Sequence, residues 1–205
     1  SLKPFTATLR TFDIGGDKEV FADGEVGVRS PGRGIHRSLQ HEEILMDQLR
    51  AILKTASEHD TLKLLLPMIG GAGEIQAVSE RVETLSDEFG IEPPPLGIMV
   101  EIPSVVYMLE EVTDYIDFLT IGTNDLAHYL MGADRFEGGE VDSVNAPNPA
   151  LFRCLQEIIA TAREQSCPVG ICGELAGNPV FTPVLIGMKV DELSTAPIRV
   201  PEVKL

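Results

Sequence analysis

Leu96-Gly-Ile-Met-Val-Glu-Ile-Pro103 and its later companion Phe118-Leu-Thr-Ile-Gly-Thr-Asn-Asp125 share one plan. Each is a short apolar run of strand length that ends in a carboxylate, Glu101 or Asp125, and passes into a helical pattern. In a parallel α/β fold the C-terminal ends of the strands share one face, where ligands and metals bind. A single acid in such a place is ordinarily a loop-facing charge or a helix N-cap. Two acids placed alike favour a divalent-metal pair.

Working outward, Phe5 to Phe12 reads as a strand that delivers Arg10 near its end, and Ala22 to Gly34 is an aperiodic loop carrying Arg29 and Arg33. Glu43 to Ser57 and Glu74 to Phe89 are amphipathic helices with apolar residues three and four apart, the second stopped by Gly90. Between them Leu62-Lys-Leu-Leu-Leu-Pro67 is a strand. Ile91 to Pro95 is a rigid connector, and a helix is expected from about Ser104 to Val112 with Ser104 as its N-cap. Met131 to Pro149 reads as a loop and Pro149 to Gln165 as a helix. A strand follows from Pro168 to Cys172, then a helix from Phe181 to Met188 and a last short strand from Glu192 to Ala196.

Strands and helices thus alternate through about six or seven β/α repeats, which implies a parallel sheet with right-handed crossovers. No dinucleotide fingerprint and no Walker A sequence is present. Polar residues recur at many strand ends, so the expected fold class is α/β, a TIM-type (β/α)8 barrel. A whole barrel takes roughly 250 residues, so about one β/α unit is expected to be missing from this chain.

The 205 residues, 43% hydrophobic, suit one core, so a single domain over 1–205 is expected. A net charge of −16 argues against nucleic acid or an anionic membrane surface as partner. Any anionic ligand must be met by local arginines. No apolar run approaches the ~20 residues of a membrane span and no signal-peptide pattern is seen, so a soluble, cytoplasmic protein is expected. Cys154, Cys167 and Cys172 form no C-x-x-C pair, which fits a reducing compartment. With no tryptophan and 5% aromatics, the core must be aliphatic.

Collected at the strand ends and adjoining loops are Arg10, Glu101, Asn124, Asp125 and Cys172, with Arg29, Arg33 and Arg135. Arginines suit bidentate capture of phosphate or carboxylate. Two hard carboxylates without histidine suit Mg2+ or Mn2+. The Asn124 amide can bind an anionic oxygen, and a thiol at Cys172 can act as proton donor or nucleophile. Taken alone, Cys154 and Cys167 read as small buried hydrophobes, and His128 as a helix residue near the site.

Six motifs in order then carry a resemblance: Arg10-Thr11 with Asp13-Ile-Gly-Gly-Asp-Lys18, Gln48-Leu-Arg-Ala-Ile-Leu53, Met99-Val-Glu-Ile-Pro103, Ile121-Gly-Thr-Asn-Asp-Leu126, Asp134-Arg135, and Cys172-Gly-Glu-Leu-Ala-Gly177. Across almost its whole length the chain resembles the C-terminal phosphoenolpyruvate-binding barrel of the phosphoenolpyruvate-utilising enzymes. Its wording is most like that of enzyme I of the phosphotransferase system, in its sugar or nitrogen-regulatory branch.

The resemblance implies Mg2+ held by Glu101 and Asp125, and phosphoenolpyruvate bound by Arg10, Arg33, Asn124 and Arg135. For the loop arginine, alignment back from Glu43 favours Arg33, with Arg29 as substitute. It also implies that Cys172 protonates the enolate as pyruvate forms. Implied partners are a phosphohistidine domain of the same protein, a small phosphocarrier protein and a second copy in a homodimer. His36, His41, His59 and His128 do not lie in the family's phosphohistidine motif, and the resemblance implies a barrel lacking the family's first β/α unit, with its arginine, and the last helix, so the chain reads as a fragment. Two further readings stay open: the barrel of pyruvate phosphate dikinase or phosphoenolpyruvate synthase, and a non-catalytic sensor or dimerisation module.

Overall fold

The computed structural model describes residues 5–13, 33–132 and 148–204. The chain divides into two compact units, Ser1–Ile98 and Met99–Leu205. In the first, strand β1 (Ala7–Arg10) pairs parallel with β2 (Leu62–Leu66), with Arg10 opposite Leu65. β2 in turn pairs parallel with the start of β3 (Leu96–Val100), Leu66 opposite Ile98. In the second unit β4 (Phe118–Gly122) pairs parallel with β5 (Val169–Cys172), Gly122 opposite Cys172. β5 pairs parallel with β6 (Glu192–Ser194). The α/β class with parallel strands is therefore as read from the sequence.

The aliphatic runs explain the burial. All five residues of β3 are buried, as are four of the five in β2. Near-continuous apolar strands are what a sheet covered on both faces demands. β1 is shorter than the expected Phe5 to Phe12: Phe5 and Phe12 fall outside it and are exposed.

In the first unit, helix α1 (Gly34–Gln40) leads into α2 (Glu42–Glu58), which packs on α3 (Ala72–Phe89). Leu45, Leu49, Ile52 and Leu53 form the buried stripe of α2, and Ile75, Val78, Val82 and Leu85 that of α3. Each side chain so buried contributes about 1.5–3 kcal/mol relative to exposure. Arg81 of α3 pairs with Glu42 of α2 at 2.8 Å on the outer surface. Gly90 ends α3 in the left-handed region, φ 65°, with the Ile91 N–H returning to Ser86 O.

In the second unit the helix expected from Ser104 to Val112 is two pieces, α4 (Pro103–Val106) and α5 (Leu109–Thr113), separated at Tyr107 and Met108. Ser104 is not the N-cap. Pro103 holds the first helical position, for which its fixed φ and missing N–H suit it, and Ile102 stands at the cap. Helix α6 (Thr123–Met131) follows β4 with no intervening loop and closes on Gly132 at φ 61°.

Helix α7 (Pro149–Glu164) starts with Pro149, and the Asn148 Oδ1 accepts the Ala150 N–H at 2.8 Å. The other end of that amide, Nδ2, donates to the Met131 sulfur at 3.0 Å, tying the start of α7 to the end of α6. Helix α8 (Thr182–Gly187) begins with Thr182-Pro183, and a 3-10 turn (Pro197–Arg199) and α9 (Val200–Val203) complete the unit. Among the described residues no helix is long and apolar enough to cross a membrane.

Candidate active site

Four of the residues singled out from the sequence meet in the second unit at the C-terminal ends of its strands. Glu101 follows β3 directly and is buried, 1% exposed. Asn124 and Asp125 occupy the first turn of α6, immediately after Gly122 at the end of β4. Cys172 is the last residue of β5 and lies opposite Gly122 in the parallel register. A parallel pairing therefore brings the thiol beside the acid-bearing turn, although the two are far apart in sequence.

Gly122 makes room at the centre. A Cβ there would stand 2.8 Å from Glu101 Oε2, 3.0 Å from Glu101 Cβ and 3.1 Å from Met99 Cγ. The bare backbone is thus a cradle in which the Glu101 carboxylate rests beside the strand.

Asn124 is fixed by its oxygen. Its Oδ1 accepts the Glu174 N–H at 3.0 Å, so what the side chain offers a ligand is its NH2, a donor suited to phosphate or carboxylate oxygen. Thr123, 2% exposed, donates its hydroxyl to the Cys172 carbonyl at 2.7 Å. The Cys172 thiol donates to the Ile121 carbonyl at 3.5 Å. Between these partners the chain turns at Gly173, φ 98°, where a Cβ would fall 2.6 Å from Thr123 Oγ1 and 2.7 Å from Asn124 Oδ1. Only glycine takes this turn without strain.

In the first unit Arg10 closes β1, and Arg33 immediately precedes α1. Arg33 holds Asp13 through two bonds, Nε to Oδ1 at 2.9 Å and Nη2 to Oδ2 at 2.7 Å. The Asp13 side chain is 3% exposed, that of Arg33 21%. A planar fork on a carboxylate is the strong form of the arginine ion pair.

The chain after Arg33 is anchored too. Gly34, φ 57°, sits so close to Met68 that a Cβ would stand 2.5 Å from the Met68 Cβ, and the Ile35 N–H donates to Pro67 O at 3.3 Å. One turn along, His36 Nδ1 meets Glu74 Oε1 at 3.1 Å, while Glu74 Oε2 accepts the Gly70 N–H at 2.6 Å. Arg29 and Arg135 lie outside the described residues.

The other two thiols differ from Cys172. Burial, with Glu157 adding to it, pushes Cys154 up to about 11, and burial, with Asp117 and Asp191 adding, pushes Cys167 up to about 11. Both stay protonated at neutral pH; Cys167 is buried, as its reading as a small hydrophobe expects, whereas Cys154 is only half-buried. His128 keeps its Nδ1 buried with no hydrogen-bond partner.

The donor set suits magnesium. Among the described residues no group of three or more His, Cys, Asp and Glu side chains is arranged to hold a metal. Magnesium, however, is ordinarily bound by one or two carboxylates, its other positions going to water and substrate oxygens. Glu101 and Asp125 are the residues that would hold the ion, each being a hard oxygen donor, and the bare Gly122 backbone is what admits the Glu101 side chain here.

Asp13, Thr123 and Gly173 were not singled out by sequence reasoning as contributors to the site. All three lie inside motifs already quoted, yet nothing in their spacing names their partners.

Comparison with known proteins gives the context. The family model described as "PEP-utilising enzyme, PEP-binding domain" matches residues 1–205. A phosphoenolpyruvate-protein phosphotransferase of Haloferax volcanii is 39% identical, over 96% of this chain and 37% of its own length. Multiphosphoryl transfer protein 2 of Escherichia coli is 36% identical, over 96% of this chain and 24% of its own. The chain therefore spans about a quarter to a third of these relatives.

Among solved structures, a citrate lyase from Burkholderia xenovorans shares the fold at TM-score 0.59 and 18% identity, covering 77% of this chain and 52% of that one. RipC of Yersinia pestis does so at TM-score 0.59 and 13% identity, covering 96% and 74%. These two bear on fold alone. The match of the family model from end to end, with relatives above 30% identity over nearly the whole chain, identifies it as a member of the phosphoenolpyruvate-utilising enzyme family, in that family's phosphoenolpyruvate-binding domain.

Proposed function

We propose that the chain binds phosphoenolpyruvate and Mg2+ and serves the transfer of the phosphoryl group to a histidine on another domain, with release of pyruvate, as in phosphoenolpyruvate-protein phosphotransferase. The observation that carries the proposal is the register of β4 and β5, which sets Cys172 opposite Gly122, next to Glu101, Asn124 and Asp125. A proton donor, an anion-binding amide and two hard carboxylates are the groups this chemistry needs.

In this reading Glu101 and Asp125 hold the metal, which when bound offsets charge on the phosphoryl oxygens and the developing enolate. The Asn124 NH2, Arg10, Arg33 and Arg135 bind and orient the phosphate and carboxylate. The acceptor histidine attacks phosphorus, the P–O bond to the enol oxygen breaks, and the enolate of pyruvate remains. Cys172 then gives its proton to the methylene carbon and becomes a thiolate, which regains a proton from water.

The (β/α)8 barrel belongs to the same proposal: six of its eight strands correspond to those among the described residues. The family match runs unbroken across both units, which supports taking 1–205 as one domain. The phosphohistidine domain, a small phosphocarrier protein, a homodimer and a cytoplasmic setting complete the proposal. The relatives' names favour a phosphotransferase over a dikinase or synthase.

Isothermal titration of phosphoenolpyruvate into the full-length protein, with and without Mg2+, tests the core of this. Binding that requires Mg2+ and is lost in Glu101→Gln is the expected result. Absence of metal-dependent binding by the folded protein overturns it.

A further inference from the structure

The turn that carries Cys172 is held from both sides by the first two residues of α6. Thr123 donates to the carbonyl of Cys172 at 2.7 Å, and Asn124 accepts the N–H of Glu174 at 3.0 Å, with Gly173 between them at φ 98°. Thr123 is buried, and the one proton of its hydroxyl is spent on this bond.

The same helical turn carries Asp125. Any movement of the turn relative to α6 therefore changes the distance from the thiol to the residues that hold substrate and metal. We infer that Thr123 is a positioning residue for Cys172: its hydroxyl fixes where the thiol stands when it passes its proton to the enolate carbon.

The inference rests on the functional reading above and deepens it, because it concerns the protonation step and leaves substrate capture alone. A hydroxyl is required at this point, whereas the methyl group of threonine is not. Serine should therefore serve and valine, of nearly the same shape, should not. A displacement of the order of an ångström in a reacting group lowers rates by about a hundredfold.

The experiment uses the full-length protein with Thr123→Val and Thr123→Ser variants. Three quantities are measured: Mg2+-dependent phosphoenolpyruvate binding, deuterium incorporation from heavy water into the methyl group of product pyruvate, and the rate at which iodoacetamide alkylates Cys172. Expected for Thr123→Val are binding within about twofold of wild type, deuterium incorporation slower by about ten- to a hundredfold, and a severalfold change in alkylation rate. Thr123→Ser should restore all three.

Wild-type exchange and alkylation in Thr123→Val overturn the inference. Equal loss in both variants overturns it also, since the role would then be packing of the methyl group. Should wild type bind no phosphoenolpyruvate, the functional reading falls, and the alkylation rates of the two variants still decide whether Thr123 fixes the thiol.

Discussion

Arg33 grips Asp13 with two parallel hydrogen bonds, 2.9 and 2.7 Å long, and the carboxylate lies almost wholly out of solvent. In the proposed function, the guanidinium would meet phosphoenolpyruvate already oriented by this carboxylate. Lysine, a point charge on a flexible stem, cannot reproduce that geometry.

Asp13→Asn should therefore weaken Mg2+-dependent phosphoenolpyruvate binding and cost about 1.5–3 kcal/mol of stability, the range for hydrogen bonds to charged groups. Arg33→Lys should lose stability in the same way, because one ammonium does not meet both buried carboxylate oxygens, and should bind at least about tenfold more weakly. Urea unfolding and calorimetric titration give both quantities. Wild-type affinity in Asp13→Asn would show that Arg33 needs no anchor.

Gly122→Ala puts a methyl group against Glu101. The far oxygen of the carboxylate can swing away, but the Glu101 Cβ, 3.0 Å from the new carbon, cannot move without the backbone. Overpacking of this kind costs about 1–3 kcal/mol. The expected outcome is a cooperative unfolding transition at lower urea, with the Mg2+ concentration needed for half-maximal phosphoenolpyruvate binding raised about tenfold or more. An unchanged Mg2+ titration would remove Glu101 from the metal site.

Cys154 and Cys167 make stability depend on pH in the alkaline range. Both thiols titrate at about 11 in the folded chain against an ordinary 9.0. A raised value means that the folded state holds its proton more tightly than the unfolded one, so stability falls as pH climbs from about 9 to about 11 and is unaffected below that. Urea midpoints at pH 8 and pH 10.5 should differ more in wild type than in a Cys154→Ala, Cys167→Ala double variant. Equal differences in the two proteins would show that burial does not perturb these thiols.

The strands β2 to β5 were legible because their aliphatic runs are almost unbroken and stop at Pro67, Glu101, Gly122 and Gly173. Helices α2, α3 and α7 were legible because their buried stripes recur at three and four residues. Helix α1 was not. It has seven residues, too few for a periodic signal, and it is held by tertiary contacts: Ile35 is fully buried and Gly34 rests on Met68.

The break at Tyr107 and Met108 was likewise hidden, since both residues are acceptable in helices. At the site, Glu101 and Asp125 stood out because each ends an apolar strand. The bonds from Arg33 to Asp13 and from Thr123 to Cys172 could not be read, because they join residues brought near only by folding.

Asn148 holds the beginning of α7 with one end of its amide and the Met131 sulfur with the other. One side chain thus ties the last turn of α6, the helix that carries Asn124 and Asp125, to the first turn of α7. Asn148→Asp would keep the capping oxygen and discard the donor, so the tether between the two helices can be cut while the start of α7 stays capped.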